Sequence, residues 1–381
     1  MVSLIFAITN FNTLATTTQL GVPLPDALTC QVHEVRNGLF DLTLTYPVTG
    51  AQSDRLAPNV IIMAEPRPNA AREPFRVYEC ERNLQGIITC RAHHIAYDLD
   101  GKIALGMSET GITAALNAMN AWCGNYFEIV NDGITDETTQ FDIVTPISVL
   151  NAIGGQNSLV SHFGGELSYH WDDTTKKCKV TLHSARGTAK DTIIRYGVNI
   201  VSMNRKQSVG DMYSTVIGVW SDGASAANNA WSNSYSTGVT DVDRWLLLDY
   251  SKQFDAKPST ALLNELVSDY IAHHDFTMQS DLNVEYIPLE TTTDYAPTPV
   301  AIVGEAVVGT DVVGDDNGNA TSDALELCDT AYVDASLVGV TAQAKCVETV
   351  YDVLLGKYSK VTIGTLAGTI IDTINTLTKE I

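Results

Sequence analysis

Positive charge is scarce in this sequence. Its 381 residues include 23 lysines and arginines against 45 aspartates and glutamates, which gives a formal net charge of −22 at pH 7. A surface with this charge repels the phosphate backbone of DNA or RNA over most of its area. We therefore do not expect specific nucleic-acid binding.

Long apolar runs are also missing near the N-terminus. The longest run there, Leu4 to Ile8, has no basic leader and is much shorter than a signal-peptide core or a membrane span. The sequence therefore signals neither secretion nor a membrane anchor.

The cysteines form no C-x-x-C pair. Their odd number, seven, argues against a disulfide framework and their spacing argues against a zinc cluster. We expect reduced, mostly buried thiols. Cys80 and Cys90 flank a predicted hairpin turn at Asn83–Gly86, a placement that allows a cross-strand contact.

Familiar catalytic motifs are missing as well, because no H-E-x-x-H, G-x-S-x-G or G-x-x-x-x-G-K-[ST] pattern occurs.

What the sequence does contain is enough apolar residues to fold: 45% of residues are hydrophobic and 18% are charged. A chain of this length suits two to four compact units.

Alternation of apolar and polar residues predicts strands in much of the chain. The clearest is 40–47, followed by two strands within 74–99, a hairpin of 167–171 with 178–183, and further strands in 198–220 and at 282–287. We interpret 221–240 as a long loop and 291–323 as an extended excursion.

Apolar residues at helical spacing predict five helices. The first has Ser108 as its predicted N-cap and Gly124 at its end, the second is predicted to start at Thr145-Pro146, and Pro258 heads the third. Their apolar faces fall within 112–122, 147–153, 262–271, 347–354 and 366–377.

Together these elements predict an α+β, multidomain protein. The strands of 1–100 predict a small barrel or sandwich, which we interpret as an N-terminal β-barrel. We expect an inserted α/β domain at 101–199 and a second, related β-barrel with accessory helices and a long loop excursion at 200–381.

Five segments of the chain carry recognisable patterns. They are NGLFDLTLTYP (37–47), PFRVYECERNLQGIITCRAHHIAYDL (74–99), FGGELSYHWDDTTKKCKVTLHSARGTAKDTIIRYGVNI (163–200), ELCDTAYV (326–333) and AKCVETVYDVLLGKYSKVTIG (344–364). In this order they resemble a known family, the phage tail-hub proteins described as prophage endopeptidase tail or tail-associated lysin N-terminal region. Cys328 stands where that family more usually has glycine, Lys357 where it has arginine, and His93 is an extra histidine.

The resemblance implies a structural baseplate hub at the tip of a phage or prophage tail, made in the bacterial cytoplasm. Such hubs are homotrimers whose two related barrels per subunit form a pseudo-sixfold ring. The implied partners are a distal tail protein, the tape-measure protein, and a fibre or spike. DNA would pass through the pore without specific binding, and an acidic pore wall would repel it. The chain ends soon after 361–364, as expected of a hub without a lytic domain.

The family description also raises an enzymatic alternative, a peptidoglycan endopeptidase. His94 and Asp98 have the H-x-x-x-D spacing of some zinc peptidases, but no H-x-H pair follows. We expect a structural histidine hydrogen-bonded at a strand end. His273, His274 and Asp275 follow a helix, where helix capping explains them.

Other candidate residues have ordinary explanations. Cys123 and Cys346 fall inside or at the end of predicted helices, which favours burial over nucleophilic catalysis. The carboxylates Glu109 and Asp98, or Asp172 and Asp173, lack an aromatic cleft. Residues 315–319 (DDNGN) do not fit a calcium loop. We therefore predict no catalytic residue, metal or cofactor.

A third alternative is an adhesin that binds host cell-wall carbohydrate. It depends on Trp220, Trp231 and Trp245, the only suggestive aromatic cluster in the sequence. Buried tryptophans that anchor the core or a loop are the simpler interpretation.

Overall fold

A computed structural model describes most of the chain. The described residues are 5–16, 21–135, 138–155, 158–195, 199–208, 210, 212–251, 254, 256–274, 276, 279–286, 325–335 and 340–364. Contacts divide the chain into two compact units. Unit 1 comprises Met1–Asn204 and Asn283–Ile381, and unit 2 comprises Arg205–Leu282.

The described elements are mainly strands. The helices are α1 (Phe11–Thr16), α2 (Ile112–Cys123), α3 (Val149–Gly154), α4 (Leu159–Phe163) and α5 (Thr260–His273). The strands are β1 (Phe6–Ile8), β2 (Val22–Pro23), β3 (Thr29–Val35), β4 (Phe40–Pro47), β5 (Ile61–Ala64), β6 (Glu73–Arg82), β7 (Ile87–His94), β8 (Ile103–Ala104), β9 (Met107–Thr110), β10 (Phe127–Asp132), β11 (Gln140–Ile143), β12 (Ile147–Ser148), β13 (Glu166–Asp172), β14 (Lys177–His183), β15 (Ala189–Arg195), β16 (Ile200–Ser208), β17 (Thr215–Trp220), β18 (Ala230–Trp231), β19 (Tyr235–Ser236), β20 (Trp245–Asp249), β21 (Gln279–Tyr286), β22 (Thr330–Ala335), β23 (Val340–Asp352) and β24 (Lys357–Gly364).

A thirteen-stranded sheet organises unit 1. Its main path runs β16-β21-β24-β23-β3-β4-β7-β6-β5-β1-β2, with β22 beside β23 and β15 beside β22. Strand β23 pairs antiparallel with β3, which joins N-terminal and C-terminal strands in one sheet. No sheet among the described strands closes on itself, so the α+β class is confirmed and the two predicted barrels are not.

A shared core packs the first hundred residues against the segment that follows. Phe6, Ile61 and Leu99 belong to one buried cluster with residues of α2, α3, β10 and β14. This packing joins the first hundred residues to the segment that ends with β14 in one unit. Contacts also place the strands after residue 283 in unit 1, whereas the sequence grouped them with 200–282. The finer division at residues 100 and 199 stays a prediction.

Several predicted elements are confirmed. Strand β4 matches 40–47, and β6 and β7 form the predicted hairpin around Asn83–Gly86. Strands β13 and β14 form the second predicted hairpin, and α2 and α5 occupy two of the predicted helical segments. These segments share clear periodicity and turn residues at their ends.

The helix predicted over 347–354 is wrong, because 347–352 belong to strand β23 and 353–354 to the turn after it. Register shifts between Cys346 and Glu348 and between Val350 and Tyr351 disturb its alternation. Adjacent residues are therefore both buried on this strand, and the spacing of its apolar residues resembles that of a helix. Residues 366–377 and 291–323 lie outside the described residues, so the helix and the extended excursion expected there stay predictions.

Two predicted helix starts are also wrong. Helix α2 begins after Gly111 instead of Ser108, because 107–110 form β9. Helix α3 is capped by Ser148, whose hydroxyl accepts a hydrogen bond from Asn151 N at 3.2 Å, while residues near Pro146 stay extended. Within the described part of the chain, no helix is long and apolar enough to cross a membrane.

A largely buried ion network joins four parts of unit 1. The Arg186 guanidinium donates to Glu34 at 2.8 Å and to the Leu167 carbonyl at 3.0 Å. Glu166 accepts from the Arg186 backbone N–H at 2.7 Å and from Lys345 at 2.6 Å. The network ties β3, β13 and β23 to the turn before β15.

Gly187 permits the closest backbone approach beside this network. Its φ is +83°, and an added Cβ would lie 2.4 Å from the Cys328 carbonyl carbon and oxygen. Cys328 itself has a φ of +74°. The position at which the resemblance expects glycine is therefore one whose backbone favours glycine.

We predict that Gly187→Ala destabilises unit 1 by about 2 kcal/mol more than Gly164→Ala. Gly164 is the matched control, because its φ is +73° but nothing lies within 4 Å of an added Cβ. The left-handed backbone penalises both changes, and only Gly187→Ala adds a backbone clash. Calorimetric unfolding of both variants checks this; equal losses would contradict the described packing.

Candidate assembly surface

The four-stranded sheet of unit 2 has one covered face. Strand β17 is central, with β18 and β19 antiparallel on one edge and β20 parallel on the other. Val216 packs with Val267 of α5 in a buried cluster. A Cβ added to Gly218 would lie 2.8 Å from Val267 Cγ2, so this helix packs tightly on the sheet.

Strand register defines the opposite face. Trp231 pairs with Val219, Trp245 with Thr215, and Leu247 with Ile217. Directly paired residues share a face, and alternate residues of one strand do too. The face away from α5 therefore carries an apolar group, which we name the open face: Ile217, Val219, Trp231, Trp245 and Leu247.

Three of the five apolar residues of the open face are exposed, whereas Val219 is buried. Trp231, Trp245 and Leu247 have exposed fractions of 49%, 59% and 55%. Scattered apolar residues are ordinary on protein surfaces, but Trp245 and Leu247 share one face of the same strand and form an exposed apolar patch. Trp231 lies on the opposite edge of the sheet. Such patches mark contact surfaces for proteins or ligands.

Acidic residues border this patch. Asp241 and Asp243 are exposed just before β20, and Asp249 pairs with Val219 on the open face. The basic residue nearby, Arg244, places its guanidinium 4.8 Å from the centre of the Tyr213 ring. A partner with apolar groups edged by basic residues would match this surface.

An open cleft of about 570 Å³ lies at the edge of the same unit. It is lined by Trp231, by Asn229 and Ala230, and by the segment 257–260, which contains Lys257. Ser259 caps α5 there, accepting a hydrogen bond from Leu262 N at 3.1 Å.

The tryptophans do not form a single cluster. Trp220 is buried against α5 and donates from Nε1 to the Phe254 carbonyl at 2.8 Å, so the expected core role is confirmed for it. The same expectation is wrong for Trp231 and Trp245, which lie on strands and are exposed. The sequence did not predict the open face, because 245–248 (WLLL) is apolar throughout and so shows no alternation of apolar and polar residues.

His94 is a structural histidine, as predicted. It is fully buried, its Nδ1 accepts from Ala96 N at 3.2 Å, and its Nε2 lies 3.3 Å from Glu73. Glu73 also contacts His170 Nδ1 at 2.7 Å and accepts from Trp171 N at 2.7 Å. Burial favours a raised pKa for Glu73, but the hydrogen bonds from His170 and His94 outweigh it and lower that pKa.

Asp98 is engaged elsewhere, so the H-x-x-x-D pair is separated. Its two oxygens accept from Arg76 at 2.9 and 2.5 Å. The extra His93 stacks on Tyr78 with ring centres 4.1 Å apart and contacts Asp41 at 2.5 Å. Within the described ranges, no group of three or more His, Cys, Asp or Glu side chains is arranged to hold a metal ion.

The remaining candidates also have structural partners. His274 Nδ1 contacts the Tyr270 carbonyl at 2.7 Å, which confirms helix capping. Burial raises the pKa of the Cys123 thiol to about 11 and that of Cys346 further still, which disfavours both as nucleophiles. Asp172 accepts from Thr174 N and Lys179 in a turn. Residues 315–319 and Asp275 lie outside the described residues.

Solved structures of tail proteins match the whole architecture. Prophage tail protein gp18 from Listeria monocytogenes has a TM-score of 0.57, 12% identity, and coverage of 100% of this chain and 99% of its own. The chain has the fold of prophage tail proteins. The 43 kDa tail protein of prophage MuSo2 from Shewanella oneidensis has a TM-score of 0.56 and 10% identity, with coverage of 96% of this chain and 98% of its own. A tail protein from Neisseria meningitidis has a TM-score of 0.54 and 10% identity, with coverage of 96% of this chain and 97% of its own.

Neither a protein-family model nor a curated protein sequence matches this chain. At 10–12% identity the likeness to the tail proteins establishes the shared fold. It agrees with the resemblance found in the sequence, which covers segments from residue 37 to residue 364.

We predict that Glu73→Gln lowers the free energy of unfolding by about 2 kcal/mol, because it removes a buried charge with three hydrogen-bond partners. The matched control is Glu79→Gln on the same strand, β6. Glu79 pairs with Arg91 in an exposed ion pair, so its loss costs about 0.5 kcal/mol or less.

The Glu73→Gln effect also has a predicted pH dependence. The lowered pKa of Glu73 gives stability above its ordinary value of 4.5 that is lost in acid. The hydrogen bond to Glu73 raises the pKa of His170 above 6.5, which gives stability below 6.5 that is lost as pH rises further. The difference in unfolding free energy between wild type and Glu73→Gln is thus largest between pH 4.5 and pH 6.5. A urea-unfolding series across pH checks it, and a difference independent of pH would contradict it.

Proposed function

We propose that this chain is the structural baseplate hub of a phage or prophage tail tip. Three copies form a pseudo-sixfold ring that joins the tail tube to a fibre or spike and lets DNA pass. The observation that carries the proposal is the fold shared with prophage tail proteins over nearly the full length of both chains. The distal tail protein and the tape-measure protein are the proposed neighbours above the ring.

The open face supports an assembly role. A structural protein must carry apolar surface that its neighbours cover, and Trp245 and Leu247 supply such surface on a rigid sheet. Aromatic side chains are enriched in the energetically important centre of protein interfaces. We assign the open face to the contact between neighbouring subunits of the ring.

The net charge of −22 supports the passage of DNA without binding, provided that part of the acidic surface lines the pore. Each excess carboxylate there repels the phosphate backbone, so DNA slides past the wall.

We also propose that the chain is not an enzyme. The endopeptidase alternative depends on His94, which is fully buried and hydrogen-bonded on both ring nitrogens. A muropeptide digest by the purified protein that depends on His94 would overturn this proposal.

A second function, carbohydrate binding by an adhesin, is favoured by one observation. Trp231 is exposed and lines the cleft together with the polar residues Asn229, Lys257 and Ser259, a combination that suits a sugar with an anionic group. Retention on purified bacterial cell walls, abolished by Trp231→Ala and unaffected by Leu84→Ala, would support it.

We predict that the wild-type chain has the mass of a trimer by light scattering across a concentration series. The double variant Trp245→Ser, Leu247→Ser is expected to shift the dissociation midpoint at least about tenfold to higher concentration, since it removes apolar interface area. The matched control is Leu84→Ser, a change at a fully exposed leucine in the β6–β7 turn.

Two results would count against this proposal in different ways. A wild-type chain that stays monomeric at all concentrations contradicts the trimeric hub. A wild-type trimer that the double variant leaves unchanged retains the hub but removes the open face from the subunit contact. Circular dichroism confirms that the variants remain folded.

A further inference from the structure

Cys80 and Cys90 occupy directly opposed positions on neighbouring strands. Strands β6 and β7 pair antiparallel, and their register places Cys80 opposite Cys90. The two sulfur atoms lie 3.3 Å apart, whereas the other five cysteines are all buried. The pair therefore differs from the other thiols in its sulfur–sulfur contact, and Cys80 also differs in its access to solvent.

The backbone geometry at this pair suits a covalent bond. Directly opposed residues of antiparallel strands have Cα atoms about 4.5–5.5 Å apart. Disulfides span Cα separations of about 4.4–6.8 Å. Side-chain rotation alone can bring the sulfurs into bonding distance, and the strands need not move.

The two thiols have different access to solvent. Cys90 is fully buried, whereas Cys80 is partly exposed and its sulfur lies 3.5 Å from the Leu56 carbonyl oxygen. The Arg82 guanidinium donates to that same carbonyl at 3.1 Å, so a positive charge lies close to the pair. Burial and the neighbouring Cys80 raise the pKa of the Cys90 thiol more than Arg82 lowers it. Cys80, the accessible thiol, is therefore the one that meets a reagent first.

We propose that Cys80 and Cys90 are an oxidative modification site, at which small disulfides such as oxidised glutathione convert the two thiols into a cross-strand disulfide. The inference is independent of the proposed function. Its consequence is a locked hairpin in the middle of the thirteen-stranded sheet, where β6 also pairs with β5 and β7 with β4.

The reaction balances in two exchange steps. The Cys80 thiolate attacks the small disulfide, forms a mixed disulfide and releases one small thiol. The Cys90 thiolate then attacks the Cys80 sulfur and releases the second small thiol. The protein loses two electrons and two protons, and the reagent gains them.

Peptide mapping tests the proposal directly. The native wild-type chain is treated with oxidised glutathione, its remaining thiols are alkylated, and it is digested with trypsin without reduction. Cleavage after Arg76, Arg82 and Arg91 separates the two cysteines. We expect peptides 77–82 and 83–91 to be recovered as one disulfide-linked species that dithiothreitol resolves, with the other five cysteines alkylated after unfolding.

Thermal unfolding supplies the second measurement. Closing a loop of this size is expected to raise the melting temperature by roughly 5 °C, and dithiothreitol should reverse the shift. Cys80→Ser should show no linked peptide and no shift; Cys80→Ala replaces it if that variant does not fold. Recovery of a stable mixed disulfide at Cys80, of two alkylated thiols, or of a linked species with unchanged melting would overturn the proposal.

Discussion

The pairing of β23 with both β3 and β24 is the constraint on which unit 1 depends. It joins residues near the start of the chain to residues more than three hundred positions later. Glu348 lies at this junction and contacts His33 at 2.8 Å, Lys360 at 3.0 Å and Thr362 at 2.8 Å. The hydrogen bond to His33, with those from Thr362 and Lys360, lowers the pKa of Glu348 to about 2 despite burial.

The ion network around Arg186 and Glu166 extends this junction to the segment between β13 and β15. Asn37 adds a neutral contact, since its side chain donates to the Gly165 carbonyl at 3.0 Å and accepts from Leu167 N at 2.8 Å. Long-range strand pairing is entropically costly to form. These buried polar contacts specify which strands meet, because a different pairing would leave their charges without partners.

The periodicity of apolar residues predicted those strands and helices whose structure depends mainly on neighbouring residues in the chain. The β6–β7 hairpin, strand β4 and helices α2 and α5 have regular periodicity, whereas bulges in β23 made a strand resemble a helix. The open face was hidden because both faces of β20 are apolar. Glu73 was missed because nothing in the sequence marks a carboxylate that tertiary structure will bury.

The family resemblance marked residues that periodicity did not single out. Within its histidine-containing segment, 74–99, His94 contacts Glu73 and Asp98 contacts Arg76 inside the fold. The left-handed backbone at Cys328 likewise explains the glycine expected there. Residues that suggest catalysis in the sequence thus stabilise the framework, and the open face of unit 2 carries exposed apolar surface that a partner could cover.

Electron microscopy of the purified chain tests the central claim most directly. End-on views are predicted to show a ring of three copies with six similar lobes around a central opening. Single copies, or a compact oligomer without an opening, would contradict the account of this chain as a tail hub.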